Sequence, residues 1–176
     1  MPAHESLDVL LAYTEWERHM WYAWFREHGA QALTIGVGPH GDGRFATVGD
    51  VVRHIFSAEK RYIDRLSDRP LTDPASIPPD DVDALFEFGR QGRQDLREFI
   101  SALPSQDWDA PRDFTILNRA IRATPRKIVL HVLVHAIRHW AQIATLLRLQ
   151  GLTVQLHDLL LSPVLGGEVT QSQSTS

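Results

Sequence analysis

Residues 124–151 read TPRKIVLHVLVHAIRHWAQIATLLRLQG, and the fold is decided there. Thr124 suits a helix N-cap, and Pro125 the first helical position, where a missing N–H costs nothing. Gly151 suits the far end, so the spacing predicts a helix through Leu149 or Gln150. Its apolar residues, from Ile128 and Val129 to Leu147 and Leu149, fall on more than one face. Such a helix is central to a bundle or buries a second face against another subunit. His131, His135 and His139 recur along it at spacings of four. Each step of four drifts only about 40° around the axis, so the three imidazoles share one face. Two imidazoles a turn apart can grip one metal ion, as in H-E-x-x-H, although Ala136 stands where that motif has glutamate. Spacing alone does not choose between His131/His135 and His135/His139. A hydrogen-bonded polar seam or a surface row fits the same spacing.

The chain has 176 residues, 43% hydrophobic with five Trp, which suits one packed domain. There is no cysteine, so disulfides, thiolate ligands and a cysteine nucleophile are excluded. Any thiol chemistry would need a thiol brought in by a small molecule. The net charge is -4 and no long basic run occurs, which argues against nucleic-acid binding. No signal peptide and no apolar run of about 20 residues is visible, so the expectation is a cytoplasmic protein without a membrane partner.

Three more helices are expected. The first runs from Leu7 to Glu27, with Ser6 as cap and Gly29 as stop. It carries more aromatics (Tyr13, Trp16, Trp21, Tyr22, Trp24, Phe25) than one stripe requires. The surplus is expected to line a pocket or a dimer contact. Gly36 to Gly43 is a loop without the lysine ending of a phosphate cradle. Thr47 and Asp50 form a capping box that opens a second helix, Val48 to Leu66. His54 lies on it; Glu59 and Asp64 read as solvated or paired with Arg61 and Arg65. Pro70, Pro74, Pro78 and Pro79 forbid helix and mark a connection across the bundle end. The third helix spans Asp81 to Leu103, with Gly89 and Gly92 marking weak points or close packing. Residues 104–124 suggest a short hairpin or extended loop around Asn118-Arg119. A short helix or turn follows near Leu156 to Leu161. Residues 1–161 form the bundle, and 162–176 read as a mobile tail.

Four helices joined by medium connections suggest an antiparallel bundle, and bundles build metal sites from facing side chains. His54 could add a third nitrogen to a pair from the last helix. Three protein nitrogens leave the open position of a catalytic site.

The run from Thr124-Pro125-Arg126-Lys127 through HVLVHAIRHWAQ, His54 within VVRHIFSAEKRYI, and the aromatic LLAYTEWER together resemble the DinB/YfiT-like family of four-helix-bundle metalloproteins. The resemblance covers roughly Leu7 to Gly151. It implies an all-α, up-down-down-up four-helix bundle with long loops and a short C-terminal appendage, commonly dimeric. It implies a divalent ion, usually zinc or nickel, held by His54, His135 and His139. His131 then falls outside the ligand set as a pocket residue, and Gln142 is a candidate hydrogen-bond partner for His139. Relatives include S-transferases that use bacterial low-molecular-weight thiols, and a mycothiol-dependent maleylpyruvate isomerase.

The resulting expectation is a metal-dependent S-transferase. A low-molecular-weight thiol cosubstrate would attack an electrophilic small molecule lying against the aromatic wall of the first helix. Two other readings keep the same metal site. One is a metal-binding stress-response or interaction protein without turnover. The other is a metal-dependent hydrolase, with Glu59 or His131 as base. A homodimer through the first and last helices is also expected.

Overall fold

The computed structural model describes residues 3–38, 43–116 and 118–166. Four helices, α1 (Ala3–His28), α2 (Val48–Leu66), α3 (Val82–Ala102) and α4 (Pro125–Leu149), form the bundle. A hairpin of β1 (Arg112–Ile116) and β2 (Arg119–Ala123) precedes α4. Its closing pair is Ile116 with Arg119, and Asn118 takes a left-handed φ of 60° at the turn, which its short polar side chain tolerates.

Local chemistry sets most of the helix ends. Thr47 Oγ1 accepts the Asp50 N–H, and the Asp50 carboxylate accepts the Thr47 N–H in return. Asp81 caps α3 by accepting the Ala84 N–H, and Thr124 caps α4 by accepting the Lys127 N–H. Gly29 stops α1 with a φ of 76°. Ser6 lies inside α1 rather than before it, because the helix already begins at Ala3.

Contacts between helices give their directions. Arg26 meets Asp83 and Arg93 meets Thr14, so α1 and α3 are antiparallel. His54 meets His135 while Tyr62 meets His131, so α2 and α4 are antiparallel. Lys60 reaches Asp95, and a Cβ on Gly89 would touch the Phe56 ring, so α2 and α3 are parallel. The order is therefore up-down-down-up, as the family resemblance implied. A parallel α2–α3 pair has a cost: the connection must return the full length of the bundle. Residues 67–81 do this alongside the helices rather than across one end. Asp64 takes the Thr72 N–H and hydroxyl, Arg53 donates to Ile77 O, and Gly49 leaves no room for a Cβ beside Pro79 O. Fifteen residues at about 3.3 Å each easily span the roughly 28 Å of α2.

The core has two apolar clusters with a charged layer between them. One gathers Trp21, Phe25, Phe56, Phe86 and Trp140; the other gathers Leu7, Ile63, Leu96, Trp108 and Leu133. Between them Glu59 is buried against Arg18 at 3.1 Å and Arg93 at 3.0 Å. Asp64 is also buried, bonded to Lys60 and Thr72, so neither acid is solvated or paired with Arg61 or Arg65.

Most of the surplus aromatics of α1 pack within the molecule, although Tyr22 keeps an exposed side. Trp21 stacks on Trp140 at 5.2 Å, and Tyr22 tilts against Phe86. The segment after α4 covers α1 as well. Trp24 donates to Thr153 O, Tyr13 donates to His157 O, and Leu152 and Val154 pack on the core. That segment therefore covers part of the apolar surface of α1, while Tyr22 on α1 and Val134 and Leu149 on α4 stay exposed. A single 3-10 turn, Leu159–Leu161, follows. Ser162 is buried, so the expected tail is anchored at its first residue; residues 167–176 lie outside those described. Among the described residues no helix is long and apolar enough to cross a membrane.

Candidate metal centre

The α2 capping box fixes where His54 emerges, one residue before core Ile55. On α4, core residues Val132, Leu133, Ala136 and Trp140 fix the rotation of the helix so that the adjoining face, with His135 and His139, turns toward α2. Antiparallel packing then brings the rings together. His135 Nε2 lies 3.1 Å from His54 Nε2 and 3.1 Å from His139 Nε2. The ligand atoms of all three lie within 4.8 Å of one another.

His139 Nδ1 is 2.9 Å from Gln142 Oε1. An amide oxygen only accepts, so His139 carries its proton on Nδ1 and turns the Nε2 lone pair toward the centre. Burial, and then the neighbours His139 and His54, push the His135 pKa down to about 3. His135 is thus neutral at pH 7, the form in which imidazole ligates. Two nitrogens sharing a tetrahedral zinc at about 2.0–2.1 Å stand about 3.3–3.4 Å apart. Separations of 3.1 Å are close to that value. A seam of hydrogen bonds would need a proton between each pair, and one His135 N–H cannot point along both lines. The donor set therefore fits a divalent ion.

The centre opens on a cavity of about 1230 Å³ between α2 and α4. Phe45 leans on His54 with ring centroids 4.8 Å apart. Its loop is held by the Val37 N–H on Ala46 O and by the Val48 N–H on Ile35 O. Residues 39–42, the middle of the glycine-rich loop, lie outside those described. His131 lines the cavity beside Tyr62, at 5.3 Å between ring centroids, and burial lowers its pKa. Ile116 brings the hairpin to the rim. No described α1 residue lines this space, so the aromatic wall comes from Phe45 and Tyr62, not from the first helix.

Glu59 is the expected site residue that the structure places elsewhere. It leaves α2 on the core side and is held by Arg18 and Arg93. Burial alone would raise its pKa, but the two guanidinium groups outweigh burial and hold it below the ordinary carboxylate range. A carboxylate so engaged is a poor base.

With this geometry, one comparison decides the relationship. The model of the DinB family matches residues 1–166. The chain belongs to the DinB family. No curated protein matches it. The match covers all four helices of this DinB chain and the segment that follows them.

The sequence reading of this DinB chain missed Phe45 and the cavity arginines. Phe45 sits in a loop, where no periodicity marks it. Arg61 and Arg65 did carry a signal: seven and eleven residues beyond His54, they lie within about 20° of its face on an α-helix.

Proposed function

We propose that this DinB protein is a metal-dependent S-transferase, in which His54, His135 and His139 hold one zinc or nickel ion. The carrying observation is three Nε2 atoms meeting at the wall of an open cavity. At about 1230 Å³ it exceeds the roughly 300–1,000 Å³ of ordinary ligand pockets and has room for two small molecules. That room supports turnover over a closed binding role.

A divalent ion held by His54, His135 and His139 would supply Lewis acidity, which would favour the thiolate of a thiol cosubstrate. The chain has no cysteine, so the thiol is a low-molecular-weight cosubstrate. His131, neutral at pH 7, takes the thiol proton on a ring nitrogen. The sulfur attacks the electrophilic carbon, a C–S bond forms, and the bond to the leaving group breaks. His131 then returns its proton to that group. Gln142 holds the His139 ring in its working tautomer throughout. Phe45 and Tyr62 supply apolar surface on either side of the centre. With Glu59 committed to the core, His131 is the base candidate that also serves hydrolysis.

The test is thiol consumption by zinc-loaded and nickel-loaded protein, using a panel of low-molecular-weight thiols and an activated aryl chloride. Consumption above buffer that falls about 10²-fold or more in His131→Ala is expected. No consumption above buffer with either metal would refute the transferase reading.

A further inference from the structure

The cavity beside the three histidines has the opposite charge from the chain as a whole. The net charge is -4, yet Arg44, Arg53, Arg61, Arg65 and Arg138 line the cavity. Asp50 is the one carboxylate among the described lining residues, and it is committed to the Thr47 cap and to Arg53 at 2.8 Å. Several arginines elsewhere sit on acids: Arg26 on Asp83, Arg90 on Glu87, Arg122 on Asp113 and Arg126 on Asp109.

Arg61, Arg65 and Arg138 form no ion pair among the described residues and line one cavity together, whereas Arg112, Arg119 and Arg148, also without an ion pair, lie outside it. Arg65 donates one bond to Arg61 O and lies 5.9 Å from the Tyr62 ring, which leaves most of its fork available. Arg61 and Arg65 are like charges one turn apart, an arrangement that disfavours a helix unless something answers it. Arg138 stands across the cavity on α4, close enough for its charge to be felt at His135. Cations grouped in a concave wall focus their field on whatever enters, and a guanidinium fork matches carboxylate and phosphate oxygens in pairs.

We propose that the cavity takes an anionic small molecule, a carboxylate or a phosphate ester. Its charged end is held by Arg61 and Arg65 of α2 and Arg138 of α4, and its reacting part lies over His54, His135 and His139. The inference rests on the cavity being the active site and names the substrate class of that site.

The test is calorimetric titration of the full chain, metal-free and zinc-loaded, with glutarate, inorganic phosphate and uncharged glutaramide. Saturable binding of glutarate or phosphate, without binding of glutaramide, is expected. Which anion binds separates the carboxylate from the phosphate. Binding weakens roughly tenfold or more in Arg61→Gln/Arg65→Gln. Circular dichroism checks that this variant folds, and Arg138→Gln, at an exposed position on the other helix, is the second variant. Metal content is measured in the same samples. Anion binding by protein that takes no metal keeps this inference and removes the transfer chemistry. Metal uptake with no anion binding at millimolar concentration overturns it, as does unchanged binding in both arginine variants.

Discussion

His135 faces two demands that pull the same way. Burial and the neighbouring imidazoles keep it neutral, with a pKa near 3, and a neutral ring is what a cation needs. The unfolded chain binds that proton near the ordinary value of 6.5. Between these values the unfolded state carries more protons, so lowering the pH favours unfolding. Metal-free protein is therefore expected to lose stability as pH falls below 6.5 toward 3. In thermal melts the wild-type melting temperature should fall more steeply than that of His135→Leu as pH falls from neutral to about 5. A wild-type melting temperature that falls no more steeply than the variant's would contradict the assignment. At the same scale the sequence was informative where chemistry is local. The i, i+4 histidines and Gln142, one turn on from His139, were readable because helical periodicity places them. Whether His131 or His139 joins His135 was not readable, because that depends on how far α4 slides along α2.

The helices were legible because their caps are short-range devices. The Thr47–Asp50 box, Thr124-Pro125 and Gly29 all stand where they were read. What lies between helices was not legible. Glu59 looked like a surface acid because its neighbours on α2 include Arg61 and Arg65. Its true partners, Arg18 and Arg93, come from α1 and α3. This ion triad links three helices between the two apolar clusters. Glu59→Gln would leave two buried guanidinium groups short of their counter-charge, at a cost of about 3–5 kcal/mol. Urea denaturation at neutral pH measures this, and the folded variant should keep its metal content. A loss of transfer activity without loss of stability would return Glu59 to the site. Helix direction was equally hidden from the residues. Proline density showed where the chain breaks, but not that residues 67–81 run back along the bundle.

At the scale of the whole molecule, the segment after α4 changes the question of assembly. It covers α1 and the last turn of α4 from within the chain, and it carries apolar groups of its own outward. Leu160 is 89% exposed and Leu165 is 77% exposed, with Leu156 and Leu159 nearby. These exposed leucines are where a second copy of the chain is expected to dock. The expected assembly is a homodimer joined through this segment, rather than through bare faces of α1 and α4. Light scattering across a dilution series should give twice the chain mass, and Leu160→Glu should halve it. A concentration-independent monomer would contradict this.

One divalent ion is expected on His54, His135 and His139. Protein purified without a polyhistidine tag or chelator would be analysed for bound metal by mass spectrometry, beside His54→Ala, His135→Ala and His139→Ala. About one zinc or nickel ion per chain is expected in the wild type, lost in each variant while circular dichroism stays helical. Wild-type protein that takes up no divalent ion after reconstitution would contradict it, and the three rings would then be a polar seam between α2 and α4.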